Sequence, residues 1–346
     1  MKIGVYGGTF NPPHLGHVTA ARAVFELLKL DLLLLVPDRE PPHKALPAGS
    51  PTPEQRLEMT RLAGEQLGLG DRVQVLDLEL KRTGRSYTSD TLAQLKERYP
   101  EDELWLLMGT DMFLTIPGVV DVSSTDLRTM LAKGEGVNLL PPAVYGYILR
   151  EGLYGTRADL KRLPLRELRP IALSYLKNKR IPHVLGTEQE AIRLAERYGA
   201  DVEKARVAAL LHDCTKKLNM EEQLELCGRY GIQLDELEQK ALKLLHAKTG
   251  AAIARDVFGV DDEIYNAIWW HTTGHAHMTL LEKVIYLADY IEPSRNFPGV
   301  DKLRAVCYKD LDEGLLMGLE MTIEEMTEMG NPVHHATIEA RDALKG

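Results

Sequence analysis

The hydrophobic rhythm of the chain changes once, and that change restricts the folds open to it. In the first part, short apolar runs at Ile3–Tyr6, Leu32–Val36, Val73–Leu76 and Leu104–Met108 alternate with helical patterns such as Thr19–Leu30 and Asp90–Arg98. Strands alternating with helices predict a parallel sheet in a doubly wound α/β domain. From about Pro182 onward the pattern is long and amphipathic, with few β-branched runs, which predicts an all-α domain. At 346 residues the chain exceeds what one hydrophobic core usually serves, so two domains are expected. The Lys/Arg-rich stretch 155–180 holds the boundary, giving domains 1–158 and 159–346. Residues 37–53 contain six prolines and fit neither helix nor central strand, so a mobile loop over the carboxyl edge of the sheet is expected there.

Charge and cysteine content narrow the function. Lys+Arg 42 against Asp+Glu 51 leaves −9, which does not suit a protein that grips nucleic acid by neutralising phosphates. Cys214, Cys227 and Cys307 form an odd set without a C-x-x-C pair, which argues against disulfides or a thiolate zinc site and for a reducing cytoplasm. The longest apolar run is too short to span a bilayer, and the first residues lack a signal-peptide stretch.

After the first strand comes Gly7-Gly8-Thr9-Phe10-Asn11-Pro12-Pro13-His14-Leu15-Gly16-His17, opening into a helical pattern. Glycines let backbone N–H groups approach phosphate, and a helix N-terminus adds a favourable dipole. His14 and His17 are three apart, so both rings face one side, with Gly16 leaving room for a ligand. Two imidazoles there suit charge stabilisation on a triphosphate under in-line attack. A glycine pair alone is more often an ordinary turn, but the eleven-residue string is far more specific. It resembles the H-x-G-H signature of the nucleotidylyltransferases, and in particular the bacterial nicotinate-nucleotide adenylyltransferases. Pro41-Pro42-His43-Lys44, Ser86 to Thr91, Gly109-Thr110-Asp111 and Val122 to Arg128 extend the match in the family's order.

That resemblance implies that Gly7, Gly8, Thr9, Phe10, His14, His17, Ser124, Thr125 and Arg128 hold ATP, with Lys44 reaching the phosphates. It places Thr88, Gly109 and Asp111 beside the pyridine nucleotide and Mg²⁺ on the triphosphate. One departure is visible. A helix plus strand, roughly thirty residues or more, is missing between Asp111 and the Ser-Ser-Thr motif. Two alternatives follow: an adenylyltransferase making deamido-NAD from nicotinate mononucleotide and ATP, or a nucleotide-binding module without transfer.

The C-terminal half carries a second constellation. An Ala/Leu helix delivers His212-Asp213 among apolar neighbours, where an ionised Asp is costly unless paired or bound to a cation. Asp289 lies at the edge of the helical stripe Val284, Leu287, Ala288 and Ile291. His183, His246 and His271 each sit on or beside an apolar segment. A single one is more often a satisfied core histidine. Together, four histidines and two aspartates make a mixed N/O set that suits Fe, Mn, Co or Zn rather than Ca.

The order H, HD, H, H, D is that of the HD phosphohydrolases. Ala209 to Lys216, His271 to Gly274 and Leu287 to Arg295 resemble the symmetrical diadenosine tetraphosphate hydrolases of that superfamily. The resemblance implies a metal site of His183, His212, Asp213 and Asp289, iron or another transition metal, one or two ions, with His246 and His271 near a second metal or the phosphates. Lys216 and Arg295 would then neutralise phosphate charge. Glu292 is read as a surface partner of Arg295, and His275, His277, His334 and His335 as surface imidazoles. The partners implied are small nucleotides (ATP, nicotinate mononucleotide, diadenosine tetraphosphate), without nucleic acid or membrane, and a homo-oligomer is one arrangement compatible with the chain.

Overall fold

A computed structural model of the chain describes residues 1–41, 45–108 and 118–345. Packing divides it into two compact units, Met1–Ala158 with Leu165–Ser174, and Asp159–Pro164 with Tyr175–Gly346.

In the first unit, β1 (Lys2–Gly8), α1 (Leu15–Leu27), β2 (Leu32–Pro37), α2 (Pro53–Gln66), β3 (Val73–Val75), α3 (Thr88–Arg98) and β4 (Glu103–Leu107) follow in order. The strands form a parallel sheet ordered β3-β2-β1-β4. Every residue of β2 is buried, as an unbroken apolar run requires when both faces of a parallel strand are covered. Leu95 of α3 packs with Ile3, Val5, Leu32 and Leu34. Gly64 of α2 lies over Leu35 and Val75, so α2 and α3 cover opposite faces. The start of α2 is written locally: Thr52 and Gln55 cap each other's backbone N–H at 3.2 and 3.0 Å, and Pro53 opens the helix.

Three helices complete the unit: α4 (Ser124–Leu131), α5 (Pro142–Arg150) and α6 (Leu165–Ser174). α6 lies beyond the expected boundary at 158, yet it packs with the first unit, against α5. Contact is close because Gly146 has no side chain; a Cβ there would overlap the Pro170 carbonyl.

The second unit is helical: α7 (Ile181–Tyr198), α8 (Val202–Leu211), α9 (Met220–Tyr230), α10 (Leu242–Phe258), α11 (Asp262–Trp269), α12 (Leu280–Ile291), α13 (Val300–Lys309), α14 (Leu311–Glu328) and α15 (His335–Lys345). α12 packs against α7, α8, α11 and α14, and its stripe Val284, Leu287, Ala288 and Ile291 is buried. No helix among the described residues is long and apolar enough to cross a membrane.

Gly146→Ala should destabilise the first unit by about 1–3 kcal/mol or more, the usual range for overpacking. Urea unfolding of the full chain tests this; an unchanged first-unit transition would show that α5 and α6 can separate at no cost.

Candidate metal centre and nucleotide cleft

In the first unit, Thr9, Phe10, His14, His17, Ser124, Thr125 and Arg128 all line one cleft of about 410 Å³, together with Asn11 and Leu46. Gly7 and Gly8 end β1 just below it, and Thr88 is the exposed first residue of α3 outside the lining. Lys44, Gly109 and Asp111 lie outside the described residues.

The two rings are 3.8 Å apart, centre to centre. The His14 backbone N–H donates to His17 Nδ1 at 3.2 Å, which leaves the His17 ring proton on Nε2. Burial and the neighbouring ring push His14 down to about 2, and burial lowers His17 to about 4. Both are therefore neutral at pH 7 and act as polar N–H donors rather than cations. Gly16 does not keep space for a ligand: a Cβ there would sit 2.7 Å from the Val120 carbonyl, so the chain's own backbone takes that room.

Residues with no local sequence signature hold the loop in place. Arg56 is fully buried, and its guanidinium donates to the Thr9 carbonyl (2.8 Å), Asp38 Oδ1 (3.0 Å) and the Arg39 carbonyl (2.8 Å). Asp38 Oδ2 in turn accepts from Thr9 Oγ1 at 2.7 Å. On the other side Arg128 donates to the Asn11 carbonyl at 2.7 Å, and the Tyr154 hydroxyl to Asn11 Oδ1 at 2.8 Å.

In the second unit, the ends of helices bring six predicted side chains together. α8 stops at Leu211 and α11 at Trp269, leaving carbonyls without helical partners. His212 Nδ1 donates to Ala209 O and His271 Nδ1 to Ile268 O, each at 2.6 Å. His183 Nδ1 donates to Glu292 Oε1 at 3.0 Å. All three rings therefore carry the proton on Nδ1 and aim an Nε2 lone pair inward.

Those lone pairs converge on anions. His183 Nε2 is 3.3 Å from His212 Nε2 and 3.0 Å from Asp289 Oδ1. His212 Nε2 is 3.6 Å from Asp213 Oδ2. Asp213 Oδ1, buried without a well-aligned hydrogen bond, lies 3.2 Å from His246 Nε2, itself 3.1 Å from His271 Nε2. Such a set repels itself unless a cation lies among it, and borderline N/O ligands suit a transition metal. The ligand atoms of His183, His212 and Asp289, and of His212, Asp213 and His271, each lie within 4.8 Å of one another.

Burial lowers His212, and it takes His246 and His271 to about 4, the neutral form metal ligands need. Burial opposes the charges on Asp213 and Asp289, but the cations nearby, Lys216 for the first and Arg295 for the second, help to hold both carboxyls well below the usual range.

The basic residues find partners within the cluster. Arg295, expected at substrate phosphate, donates to Asp289 Oδ1 at 2.6 Å, because a guanidinium beside an inward carboxylate is drawn to it. Arg180, which the sequence reading passed over, pairs with Asp213 Oδ2. Lys216 Nζ lies 2.9 Å from His246 Nε2, its pKa lowered by burial. Glu292 is not a surface residue; it is fully buried behind His183. His334 is also buried, and its Nδ1 caps α15 by accepting from the Ala336 N–H at 3.2 Å. Its proton is then on Nε2, facing Asp235 and Glu238 at 3.2 and 3.3 Å. That is the reverse of the tautomer a metal bound through Nε2 requires, although Asp235, His334 and His335 cluster.

Comparison with known proteins follows the same division. Residues 5–133 match the cytidylyltransferase-like family and residues 180–294 the HD domain. The symmetrical bis(5'-nucleosyl)-tetraphosphatase of Bacillus subtilis is 42% identical over 159 residues, covering 46% of this chain and 85% of that protein. A protein of Shouchella clausii named a probable nicotinate-nucleotide adenylyltransferase is 35% identical over 190 residues, covering 44% of this chain and 97% of its own. The chain belongs to both families, one in each half.

A solved HD superfamily hydrolase described as involved in NAD metabolism, from Clostridium acetobutylicum, is 43% identical with a TM-score of 0.51, over 53% of this chain and 97% of that one. The HD half and the adenylyltransferase-like half make this chain an enzyme. The alignment with the S. clausii protein is 190 positions long, but 44% of 346 residues is about 152. About 38 positions thus face no residue of this chain.

The pH response of the first unit has a definite sign. His14 and His17 are depressed in the fold from about 6.5 to about 2 and about 4. The unfolded chain thus binds protons the fold does not, and stability present above pH 6.5 is lost as pH falls toward 4, by up to ~1.4 kcal/mol per pH unit and histidine. Urea unfolding at pH 7 and 5 should show this loss, and less of it in His17→Gln; equal losses would show that His17 is not held neutral.

Proposed function

We propose that the HD half hydrolyses dinucleoside tetraphosphates symmetrically, diadenosine tetraphosphate giving two ADP, with a transition metal held by His183, His212, Asp213 and Asp289. The observation that carries this reading is the inward convergence of Nε2 lone pairs on the Asp213 and Asp289 carboxylates. When bound, the metal supplies Lewis-acid polarisation of a phosphate and lowers the pKa of water. His246 and His271, neutral and buried, would contact a second ion or the phosphates. Lys216, beside His246, and Arg295, beside Asp289, are the cations that would neutralise phosphate charge.

For the first unit we propose adenylyl transfer from ATP with Mg²⁺ to nicotinate mononucleotide, giving deamido-NAD and diphosphate. The ATP side of this reading is supported by a cleft lined with His14, His17, Ser124, Thr125 and Arg128. A second reading, a nucleotide-binding module that does not catalyse transfer, is favoured by the roughly 38 missing positions. β4 is an edge of the sheet among the described residues, with Trp105 partly exposed. A fused hydrolase would remove dinucleoside polyphosphates formed as side products of adenylyl transfer. The three buried free cysteines suit a cytoplasmic enzyme.

Metal analysis of the purified chain with product analysis on diadenosine tetraphosphate tests the first proposal. Bound iron or manganese and ADP as sole product are expected. His212→Ala and Asp213→Ala should each abolish metal binding and lower hydrolysis at least a hundredfold, leaving ATP binding intact. Hydrolysis that survives chelation sinks the metal reading, and cleavage to ATP and AMP sinks the symmetrical one.

Incubation with nicotinate mononucleotide and ATP separates the two readings of the first unit. Deamido-NAD formed in amounts that fall with His17→Ala supports transfer. ATP binding by calorimetry without product supports the binding module.

A further inference from the structure

Glu292 stands behind His183, away from the converging lone pairs. α12 ends at Ile291; Glu292 is extended, and Pro293 prevents the helix from resuming. Asp289 faces the metal centre from the last turn of the same helix. Three residues on, the Glu292 side chain is tied at both oxygens. Oε1 accepts from His183 Nδ1 at 3.0 Å and Ser294 Oγ at 2.5 Å, and Oε2 accepts from the Ser294 N–H at 2.7 Å. The turn is pinned from outside by Arg304, which donates to the carbonyls of Ile291, Glu292 and Arg295.

The seat for this carboxylate is a glycine. Gly186 is one turn beyond His183 on α7, and a Cβ on it would lie 2.5 Å from Glu292 Oε2 and 3.4 Å from Pro293 Cδ. Any side chain at 186 would push the carboxylate off His183. Among the described residues Glu292 is the hydrogen-bond partner of His183 Nδ1, so it decides which ring nitrogen carries the proton.

We infer that Glu292 is a positioning residue that fixes the tautomer and aim of His183 for the metal, and that Gly186 is required to seat it. This rests on the metal-centre reading above. A carboxylate behind a ligating histidine also raises the ring's basicity, and loss of such a partner typically weakens metal binding about 10- to 100-fold.

The test titrates Mn²⁺ and Zn²⁺ into the metal-stripped full chain by calorimetry, with circular dichroism as the check on folding. Glu292→Gln should weaken binding about 10- to 100-fold. Gly186→Ala should do the same while leaving every charge in place, which guards against a folding failure in the Glu292 variant. Glu190→Gln, a buried glutamate on the same helix bonded to Tyr308, should leave affinity unchanged. ¹⁵N NMR of the histidine rings reads the tautomer directly: the His183 Nδ1–H form should dominate in the parent and be lost in both variants. If His212→Ala binds metal as tightly as the parent, the metal-centre reading itself fails. If His212→Ala loses metal while Glu292→Gln and Gly186→Ala stay within twofold of the parent with the tautomer unchanged, the positioning role alone is overturned.

Discussion

A fully buried aspartate organises the helical half. Asp213 follows a helix of alanines and leucines and has no access to water. A charge so placed is tolerable only among partners that stabilise it. Arg180 at the start of α7 is the cation beside one oxygen, with His212 and His183 around it, and His246 of α10 stands beside the other. The bundle can thus be understood as the packing that brings these groups to one point, with α12 at its centre supplying Asp289 and Glu292 together.

The first unit solves a similar problem with the opposite charge. Arg56 is buried inside an amphipathic helix, where its guanidinium binds two carbonyls and Asp38. The glycine-rich loop is thereby held in place without a ligand, so a ligand bound there need not meet the full cost of ordering it. Burial lowers His14 and His17 in the first unit and His212, His246 and His271 in the second, but to different ends. In the cleft, His17 keeps an N–H on its free nitrogen; in the second unit, three rings turn lone pairs inward.

Much of this is legible in the chain because the signals are local. The four strands fall on the four apolar runs within a residue or two, since β-strand burial writes itself into consecutive residues. His212-Asp213 and Asp289 stand out because polar groups in apolar helices are unusual. What escaped the sequence reading has no local pattern. Arg56 looks like any helical arginine, Arg180 like one of many basic residues near a boundary, and Glu292 like an i, i+3 partner of Arg295. α6 resembles its helical successors and is assigned to the first unit only by what it packs against.

The sequence by itself determined the class of each half, the run of strands and helices, and which side chains could carry chemistry, because periodicity and rare residue types are properties of neighbours along the chain. Only the tertiary structure decided the direction of each lone pair, the partner of each charge and the use of each glycine. His183 turns its Nε2 inward because a carboxylate 109 residues away holds its other nitrogen. Gly16 proves to make room for backbone and Gly186 for that carboxylate. Those roles depend on atoms brought together by packing, and no window along the chain contains both partners.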